Sequence, residues 1–257
     1  MLPWKGVSKT VIQGISALLS GIRSGLARFD AIASNIANLN TPGFRSSRVD
    51  LQTGPGGIGV VVASTSLDTS RGPFLLTGGS LDVSIEGDSF FEALTADGQS
   101  VFTRAGSFRL DGEGFLVTAG GERVAPGIQI PQGATEVSIT RTGEVVGTVD
   151  GNQVTFGRLQ SVRFNNPSGL EAVGGGLFAR TANSGEPIRG DFSQPGFGAL
   201  LPGALEGSNT DLAAGFVDLL LARRFLQAQT ATIRTADELL AEVINLQRKR
   251  AGRDIPL

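Results

Sequence analysis

Two stretches of the chain, one near each end, repeat apolar residues with the period of an amphipathic helix. In the N-terminal stretch the apolar positions form two sets with a spacing of seven, offset by three residues: Ile12, Leu19, Leu26 and Ala33, then Ile15, Ile22, Phe29 and Ile36. This is the a/d pattern of a coiled-coil seam. It predicts a long helix that packs against a partner helix.

The C-terminal stretch has the same period. Large apolar residues recur every seven positions, at Leu212, Leu219, Leu226, Ile233 and Leu240. The positions three further on are mostly small: Gly215, Ala222, Gln229, Ala236 and Val243. A row of large residues beside a row of small ones favours close helix packing. The two helices could pair with each other or with copies of themselves, and the pattern leaves both arrangements open.

The middle of the chain has a different pattern, in which short β-type runs alternate with turn residues such as Asp97-Gly98 and Asp150-Gly151. Strands at such short intervals predict an antiparallel all-β domain. The expected strands are Leu81–Ile85, Phe90–Leu94, Val101–Thr103, Ser107–Leu110, Phe115–Val117, Val137–Ile139 and Val154–Phe156.

The predicted fold class is therefore α+β. Heptad helices at both termini form an α-helical coiled-coil domain, and an antiparallel all-β domain lies between them in the sequence. The Gly/Pro run Gln52–Gly57 suggests a hinge after the first helix. The expected segments are 1–50 for the N-terminal helix, 51–68 for a linker, 69–200 for the β domain and 201–257 for the C-terminal helix.

The amino-acid composition argues against several classes of function. The chain of 257 residues has no Cys, no His and no Tyr, which removes disulfides, thiolates and the commonest general base. The net charge of −2 argues against nucleic acid. No run of apolar residues is long enough for a transmembrane helix. We expect no enzyme activity, no catalytic, cofactor-binding or metal-binding residues, and no small-molecule substrate.

One carboxylate cluster could suggest a hydrolase. Asp82, Ser84 and Glu86 share one face of a predicted strand, with Leu81, Val83 and Ile85 on the other. Paired carboxylates can act as acid and base. The alternation is explained more directly by a polar face in solvent and an apolar face in the core, and we prefer that interpretation.

The stretch Ser34–Phe44, "SNIANLNTPGF", ends the first helical run with three amides and Pro-Gly. The longer block 33–51, "ASNIANLNTPGFRSSRVDL", resembles the N-terminal signature of the bacterial flagellar rod and hook proteins, with Ser34 where Asn is usual and Arg45 where Lys is common. Three more blocks resemble the family in the same order: "LDVSIEGDSFFEA" (81–93), "FTRAGSFRLDGEGFLVTAGG" (102–121) and a C-terminal block that begins "GALEGSNTDLAAG" (203–215) and continues to residue 240. Ser89 replaces a usual Gly, and Gly215 replaces a usual Glu. The resemblance extends from about Ile12 to Leu246.

The resemblance implies a structural subunit that is exported through the flagellar secretion channel without a cleaved signal and polymerises into a helical tube. Such a tube, the basal-body rod, transmits motor torque to the hook. The implied partners are further copies of this chain, other rod proteins, the hook protein, the ring proteins that surround a rod and the export apparatus. No cofactor is implied.

Within the family, a single β domain points to a rod protein. The block 161–178 favours the distal part of the rod, whereas "LEGSN" and "ARRF" are closer to proximal rod proteins. A hook-type subunit and a secreted β-rich adhesin are the alternatives.

The residues expected to make the assembly contacts belong to the two seams and to the stretch between helix and β domain. They are Ile15, Ile22, Phe29 and Ile36, with Leu219, Leu226, Ile233 and Leu240 opposite, and the motif residues Asn35, Asn38, Asn40, Pro42 and Gly43. Closely spaced amides can bond either exposed backbone at a helix end or a neighbouring subunit.

Overall fold

A computed structural model describes residues 4–192 and 194–251 of the chain. The described residues form two long helices and 18 strands. Helix α1 spans Trp4–Ala37 and helix α2 spans Leu212–Ala251. All strands lie between these helices in the sequence.

The strands are numbered in chain order. The first nine are β1 (Ser47–Thr53), β2 (Val60–Leu67), β3 (Phe74–Leu76), β4 (Val83–Glu86), β5 (Phe90–Leu94), β6 (Ser100–Thr103), β7 (Arg109–Leu110), β8 (Leu116–Val117) and β9 (Arg123–Val124). The second nine are β10 (Thr135–Ile139), β11 (Glu144–Val149), β12 (Asn152–Arg158), β13 (Gln160–Arg163), β14 (Glu171–Gly174), β15 (Leu177–Ala179), β16 (Ile188–Asp191), β17 (Ala199–Pro202) and β18 (Ala204–Glu206).

The chain divides into two compact units. The β unit comprises residues 34–48 and 66–212, and the helical unit comprises the described residues of 1–33, 49–65 and 213–257. The last turn of α1 and the first residue of α2 therefore belong to the β unit.

A nine-stranded antiparallel sheet dominates the β unit. Its main path runs β14-β15-β6-β5-β9-β8-β7, and β13 joins β5 to β16. Strands β10, β11 and β12 form a separate antiparallel meander, while β4 pairs with β17 and β3 pairs with β18. Short antiparallel strands joined by Gly-containing turns are what the central sequence pattern predicts.

Two apolar clusters form the core of the β unit. The larger cluster gathers Ile85, Phe91, Leu116, Val145 and Leu159 with eight further buried residues. The smaller cluster contains Phe90, Phe102, Phe164 and Phe178, whose rings meet edge to face at centroid distances of 4.8–6.0 Å. The phenylalanines thus pack in the core rather than forming a stacking surface for a ligand.

In the helical unit, α1 and α2 meet at small residues of α1. A Cβ atom added to Gly25 would lie 2.9 Å from Leu226 Cδ2, so a larger residue at this position would have to displace the Leu226 side chain. Strand β2 is fixed to α1 by two hydrogen bonds: Ser24 Oγ donates to Val60 O at 3.0 Å, and Val60 N donates to Ser20 Oγ at 3.0 Å. The unit is therefore a helix pair with a small strand pair against α1.

The α+β fold class and the antiparallel central region are confirmed. Several element limits differ from the expected segments. Helix α1 ends at Ala37 because Thr41, Pro42 and Gly43 follow within two turns. The expected linker 51–68 contains the last three residues of β1 and the whole of β2, since its Gly/Pro run is only the turn between two strand-forming runs.

The expectation of a solvent-facing Ser84 between Asp82 and Glu86 is wrong. Ser84 is fully buried, as are Val83 and Ile85 on either side of it. Strand β4 is covered on both faces, and a strand of this kind does not alternate between buried and exposed positions. The Ser84 hydroxyl has no hydrogen-bond partner among the described residues.

We predict that Ser84→Ala stabilises the β unit by about 1 kcal/mol, because it removes a buried hydroxyl that makes no hydrogen bond. The matched control is Ser161→Ala, since the equally buried Ser161 Oγ donates to Phe197 O at 2.9 Å. Urea unfolding followed by circular dichroism measures both. A Ser84→Ala variant that is destabilised as much as Ser161→Ala would refute the prediction.

Candidate assembly site

The chain that leaves α1 turns sharply at Gly43. Gly43 has φ +69°, which favours glycine, and its N–H donates to Glu206 O at 2.7 Å. A Cβ atom at this position would lie 2.2 Å from Ala105 N. The Pro-Gly of the motif is therefore both a helix stop and a point of backbone-to-backbone contact.

The motif amides bond to their own chain. Asn35 Nδ2 donates to Ser47 O at 2.8 Å, and Ser47 N donates to Asn35 Oδ1 at 2.9 Å. Asn38 Nδ2 donates to Ser34 O at 2.9 Å, a carbonyl group at the end of α1 that also accepts from Asn38 N at 3.1 Å. Asn40 is exposed, and its side chain makes no hydrogen bond within the described part of the chain. Two of the three amides thus shape the turn itself.

Glu206, on β18, accepts hydrogen bonds from two buried arginines. Arg45 Nη2 lies 2.7 Å from Glu206 Oε1, and Arg104 approaches Glu206 Oε2 with Nε at 2.9 Å and Nη2 at 2.5 Å. The exposed fractions of Arg45, Arg104 and Glu206 are 5%, 0% and 1%. We call these three residues the ion cluster. Charges buried this deeply persist only when they are paired and hydrogen-bonded.

Arg104 also binds the backbone around strand β4. Its Nη2 donates to Ile85 O at 3.1 Å, and its Nη1 donates to Gly87 O at 2.9 Å and to Ser89 O. Burial lowers the pKa of Arg104 to about 10, although the Glu206 carboxylate opposes the effect. Arg104 therefore keeps its charge at neutral pH.

Asn209 adds a second junction beside the ion cluster. Its Oδ1 accepts from Ser46 N at 2.7 Å, and its Nδ2 donates to Asp68 O at 3.1 Å and to Ser70 O at 3.0 Å. One amide side chain thus joins the segment after α1, the segment after β2 and the segment before α2.

The four blocks that carry the family resemblance meet at the ion cluster. Arg45 lies in the block 33–51, Arg104 lies in the block 102–121, and Glu206 lies in the block 203–240. The carbonyl groups bound by Arg104 belong to the block 81–93. The blocks 81–93 and 102–121 are neighbours in sequence, and the other two blocks lie far from them. Their shared feature is that each supplies a charge or a backbone group to one buried site.

The expected seam residues of α2 lie on one face of the helix in the helical unit. Leu219, Leu226, Ile233 and Leu240 are half-buried, Ala222 is buried, and Gln229 and Ala236 are half-buried. Their neighbours on α2 are mostly exposed. This face of α2 meets α1 at Gly21 and Gly25, where added Cβ atoms would approach Gln229 and Leu226.

The expected seam residues of α1 differ in burial. Ile22, Phe29 and Ile36 are half-buried, whereas Ile15, together with Leu19 and Leu26 of the other set, is exposed at 41%, 48% and 47%. The most buried described side of α1 instead holds Gly21, Ser24, Gly25 and Ile32. The heptad pattern gave no sign that the small residues would face α2.

The two carboxylates considered for catalysis each interact with a different partner. Asp82 Oδ2 accepts from Thr77 Oγ1 at 2.6 Å, and Glu86 Oε2 lies 3.5 Å from Arg141 Nη2. Within the residues for which side chains are described, no group of His, Cys, Asp and Glu could hold a metal ion. Neither described helix contains an apolar stretch suited to crossing a membrane.

The fold and the site together define a class of protein. It has a β unit centred on a structural ion cluster, and two long terminal helices whose apolar residues remain partly exposed. Three family models match the chain: the flagellar hook protein FlgE/F/G D1 domain over residues 84–147, the flagellar basal body rod FlgEFG protein C-terminal region over 201–246, and the flagella basal body rod protein over 19–45.

Curated relatives agree with these matches. The chain is 33% identical to the flagellar basal-body rod protein FlgG of Agrobacterium fabrum, with 90% of this chain and 98% of the relative aligned. It is 36% identical to FlgG of Bacillus subtilis (93% and 100%) and 33% identical to FlgG of Caulobacter vibrioides (92% and 100%). The chain belongs to the flagellar basal-body rod protein family, and it is a structural protein of the flagellar basal body.

The site residues that the sequence patterns missed are Arg45, Arg104, Glu206 and Asn209. Each lies within a block that carries the resemblance. Arg45, Arg104 and Glu206 are buried charged residues, and Asn209 is an amide that bonds to segments distant in sequence. The usable signal was a charge inside an otherwise apolar or glycine-rich motif. Periodicity does not detect such a residue because it is single.

We predict that Glu206→Gln destabilises the β unit by about 3 kcal/mol or more, because it leaves two buried guanidinium groups without a counter-charge. Glu113→Gln is the control, since Glu113 pairs with Arg123 at 2.5 Å but is 69% exposed. We expect that variant to lose less than about 1 kcal/mol. Urea unfolding measures both, and equal losses would show that the ion cluster has no special role.

Proposed function

We propose that this chain is a subunit of the basal-body rod that polymerises through its terminal helices into a helical tube and performs no catalysis. The observation that carries the proposal is the set of large apolar residues that both helices leave exposed. They include Ile15, Leu19 and Leu26 on α1, and Phe216, Val217, Leu220 and Leu221 on α2. Large apolar side chains exposed in this number on two helices favour a role of these helices in a protein interface.

The proposed contacts combine two kinds of residue. Phe29, Leu226 and their heptad equivalents Ile15, Ile22, Ile36, Leu219, Ile233 and Leu240 form coiled-coil seams within and between copies. The motif residues Asn35, Asn38, Pro42 and Gly43 act within each subunit by fixing how the chain leaves α1, which leaves Asn40 for contact with a neighbour.

Polymerisation and helix formation are coupled in this proposal. Gly14, Gly21 and Gly25 weaken α1, each by nearly 1 kcal/mol relative to Ala. A long helix with this composition depends on packing for its stability. Contacts with neighbouring copies would supply that packing, and contacts that do not close on themselves give a filament.

We further propose a position in the distal part of the rod. The similarity to FlgG over nearly the full length of those relatives supports it. The proposed partners are other copies of this chain, the adjoining rod proteins, the hook protein, surrounding ring proteins and the export apparatus. The tube would transmit torque, with the β unit adding stiffness to its wall.

Replacing Leu19 and Leu26 together by Asp should abolish rod assembly while the monomer stays folded, because both side chains are about half exposed and lie on one helix stripe. Arg109→Asp is the control, since Arg109 is exposed on β7 and lies outside the helical unit. Circular dichroism checks folding, and electron microscopy of isolated basal bodies checks assembly. Normal rods in the double variant would overturn the proposal.

A gold-labelled tag on this subunit should be found at the hook-side end of rods in isolated basal bodies. Label at the motor-side end would instead assign the chain to the proximal rod. Label along the hook would point to a hook-type subunit.

A further inference from the structure

A cavity of about 130 Å³ adjoins the ion cluster within the β unit. Its buried lining residues are Arg45, Leu67, Phe90 and Arg104, and its exposed lining residues include Asp68 and Asp88. Since roughly 10–15 Å³ is enough for one water molecule, the cavity has room for several. Charged groups of both signs therefore line a space that can hold a small ligand.

The two arginines of the cavity differ in how completely their guanidinium groups are bonded. A guanidinium group has five N–H donors. Arg104 makes five hydrogen bonds, two to Glu206 Oε2 and three to backbone carbonyl groups. Arg45 Nη2 pairs with Glu206 Oε1, but Arg45 Nη1 is buried and makes no hydrogen bond among the described residues. A buried donor without a protein acceptor calls for a partner of another kind.

The charges around the cavity limit what it can bind. Two arginines and one glutamate leave the ion cluster with a net charge of +1, which repels a cation from the buried side. The carboxylates of Asp68 and Asp88 on the exposed side repel an anion. A small neutral molecule that both donates and accepts hydrogen bonds meets neither repulsion, and water is such a molecule.

Asp68 is held beside the ion cluster more firmly than Asp88. The Asp68 N–H donates to Ser46 O at 2.8 Å, and Asp68 Oδ1 accepts from Ser70 N at 2.8 Å. Although partial burial opposes the change, the hydrogen bonds from Ser70 and the charge of Arg45 lower the pKa of Asp68, which keeps its carboxylate ionised at neutral pH. The Asp88 side chain is 85% exposed. Asp68 is therefore the better-placed acceptor for a bound water molecule.

We propose that this cavity binds ordered water, and that the water joins Arg45 Nη1 to the Asp68 carboxylate. The water accepts from the guanidinium nitrogen and donates to the carboxylate, so the negative charge of Asp68 offsets the net charge of the ion cluster. Asp68 is thus a positioning residue that ties the segment after β2 to the ion cluster. The proposal concerns the β unit alone and does not depend on the proposed polymerisation.

Water-selective rotating-frame Overhauser spectra of the isotope-labelled full-length chain test the proposal at the guanidinium N–H groups. Arg45 should show a cross-peak to water. Arg104 is the matched control and should show none, since it lines the same cavity but its donors are all bonded to protein. Cross-peaks at both arginines, or at neither, would overturn the proposal. Loss of the Arg45 signals to rapid exchange would also overturn it, because free solvent would then reach the ion cluster.

The hydroxyl group of Thr69 is a second source of a cross-peak, because Thr69 also lines the cavity and its proton exchanges with water. The Thr69→Val chain removes this group. The Arg45 cross-peak should persist in that chain, and its disappearance would assign the signal to the hydroxyl and contradict the bound water.

Inorganic phosphate tests the alternative of an anion site. Titration of phosphate into the full-length chain should leave the Arg45 signals unchanged, because the carboxylates of Asp68 and Asp88 repel it. A saturable shift of the Arg45 signals would identify an anion site and overturn the assignment to water.

Asp68→Asn tests the carboxylate by urea unfolding of the full-length chain. It should raise the unfolding equilibrium constant roughly five-fold, whereas Asp88→Asn should raise it less than roughly two-fold. Arg45→Lys keeps the charge but lacks the second terminal nitrogen, so adding Asp68→Asn to it should raise the constant less than roughly two-fold. An equal effect of Asp68→Asn with and without Arg45→Lys would show that Asp68 acts independently of Arg45 Nη1, and would refute the water-mediated link.

Discussion

The β unit depends on one carboxylate. Glu206 lies between Arg45 and Arg104 in an interior from which solvent is almost excluded, and its two oxygens accept from both guanidinium groups. Since an unpaired buried charge costs several kcal/mol, all three residues must be in place together. Arg104 also binds the carbonyl groups of Ile85, at the end of β4, and of Gly87 and Ser89, which follow it. The pairing of Glu206 with both arginines thus holds the segment after α1 and the segment before α2 in the same unit.

This arrangement gives a physical reason for the family motifs. Gly43 is needed because its backbone touches residues 104 and 105, and Pro42 stops the helix just before that contact. Arg45, Arg104 and Glu206 are needed together, because loss of one member leaves a buried charge without its partner. The terminal helices are stabilised differently, because they pack through periodic apolar side chains. Some of these side chains stay partly exposed, which suits association among copies. The chain therefore combines a buried polar site, in which Glu206 pairs with both arginines and only Arg45 Nη1 makes no hydrogen bond among the described residues, with helices that expose large apolar side chains.

Local patterns predicted most of the fold. The α+β class, strand β5 and many turns follow from periodicity and from Asp-Gly pairs, because these signals act over fewer than ten residues. The burial of Ser84 and the strands within 51–68 could not be predicted in that way, because they depend on what covers each segment. The ion cluster was missed for a related reason. Arg104 and Glu206 are 102 residues apart, and no spacing rule connects single charges over that distance.

Hydrogen exchange of the full-length chain tests the central claim most directly. The Gly43 amide donates to Glu206 O and lies beside the ion cluster, whereas Asn40, three residues earlier, is exposed. If the cluster holds this segment in the β unit, Gly43 should exchange as slowly as the central amides of β5, which open only when the unit unfolds. Exchange of Gly43 at the rate of the Asn40 turn would show that the segment opens independently, and would contradict the account.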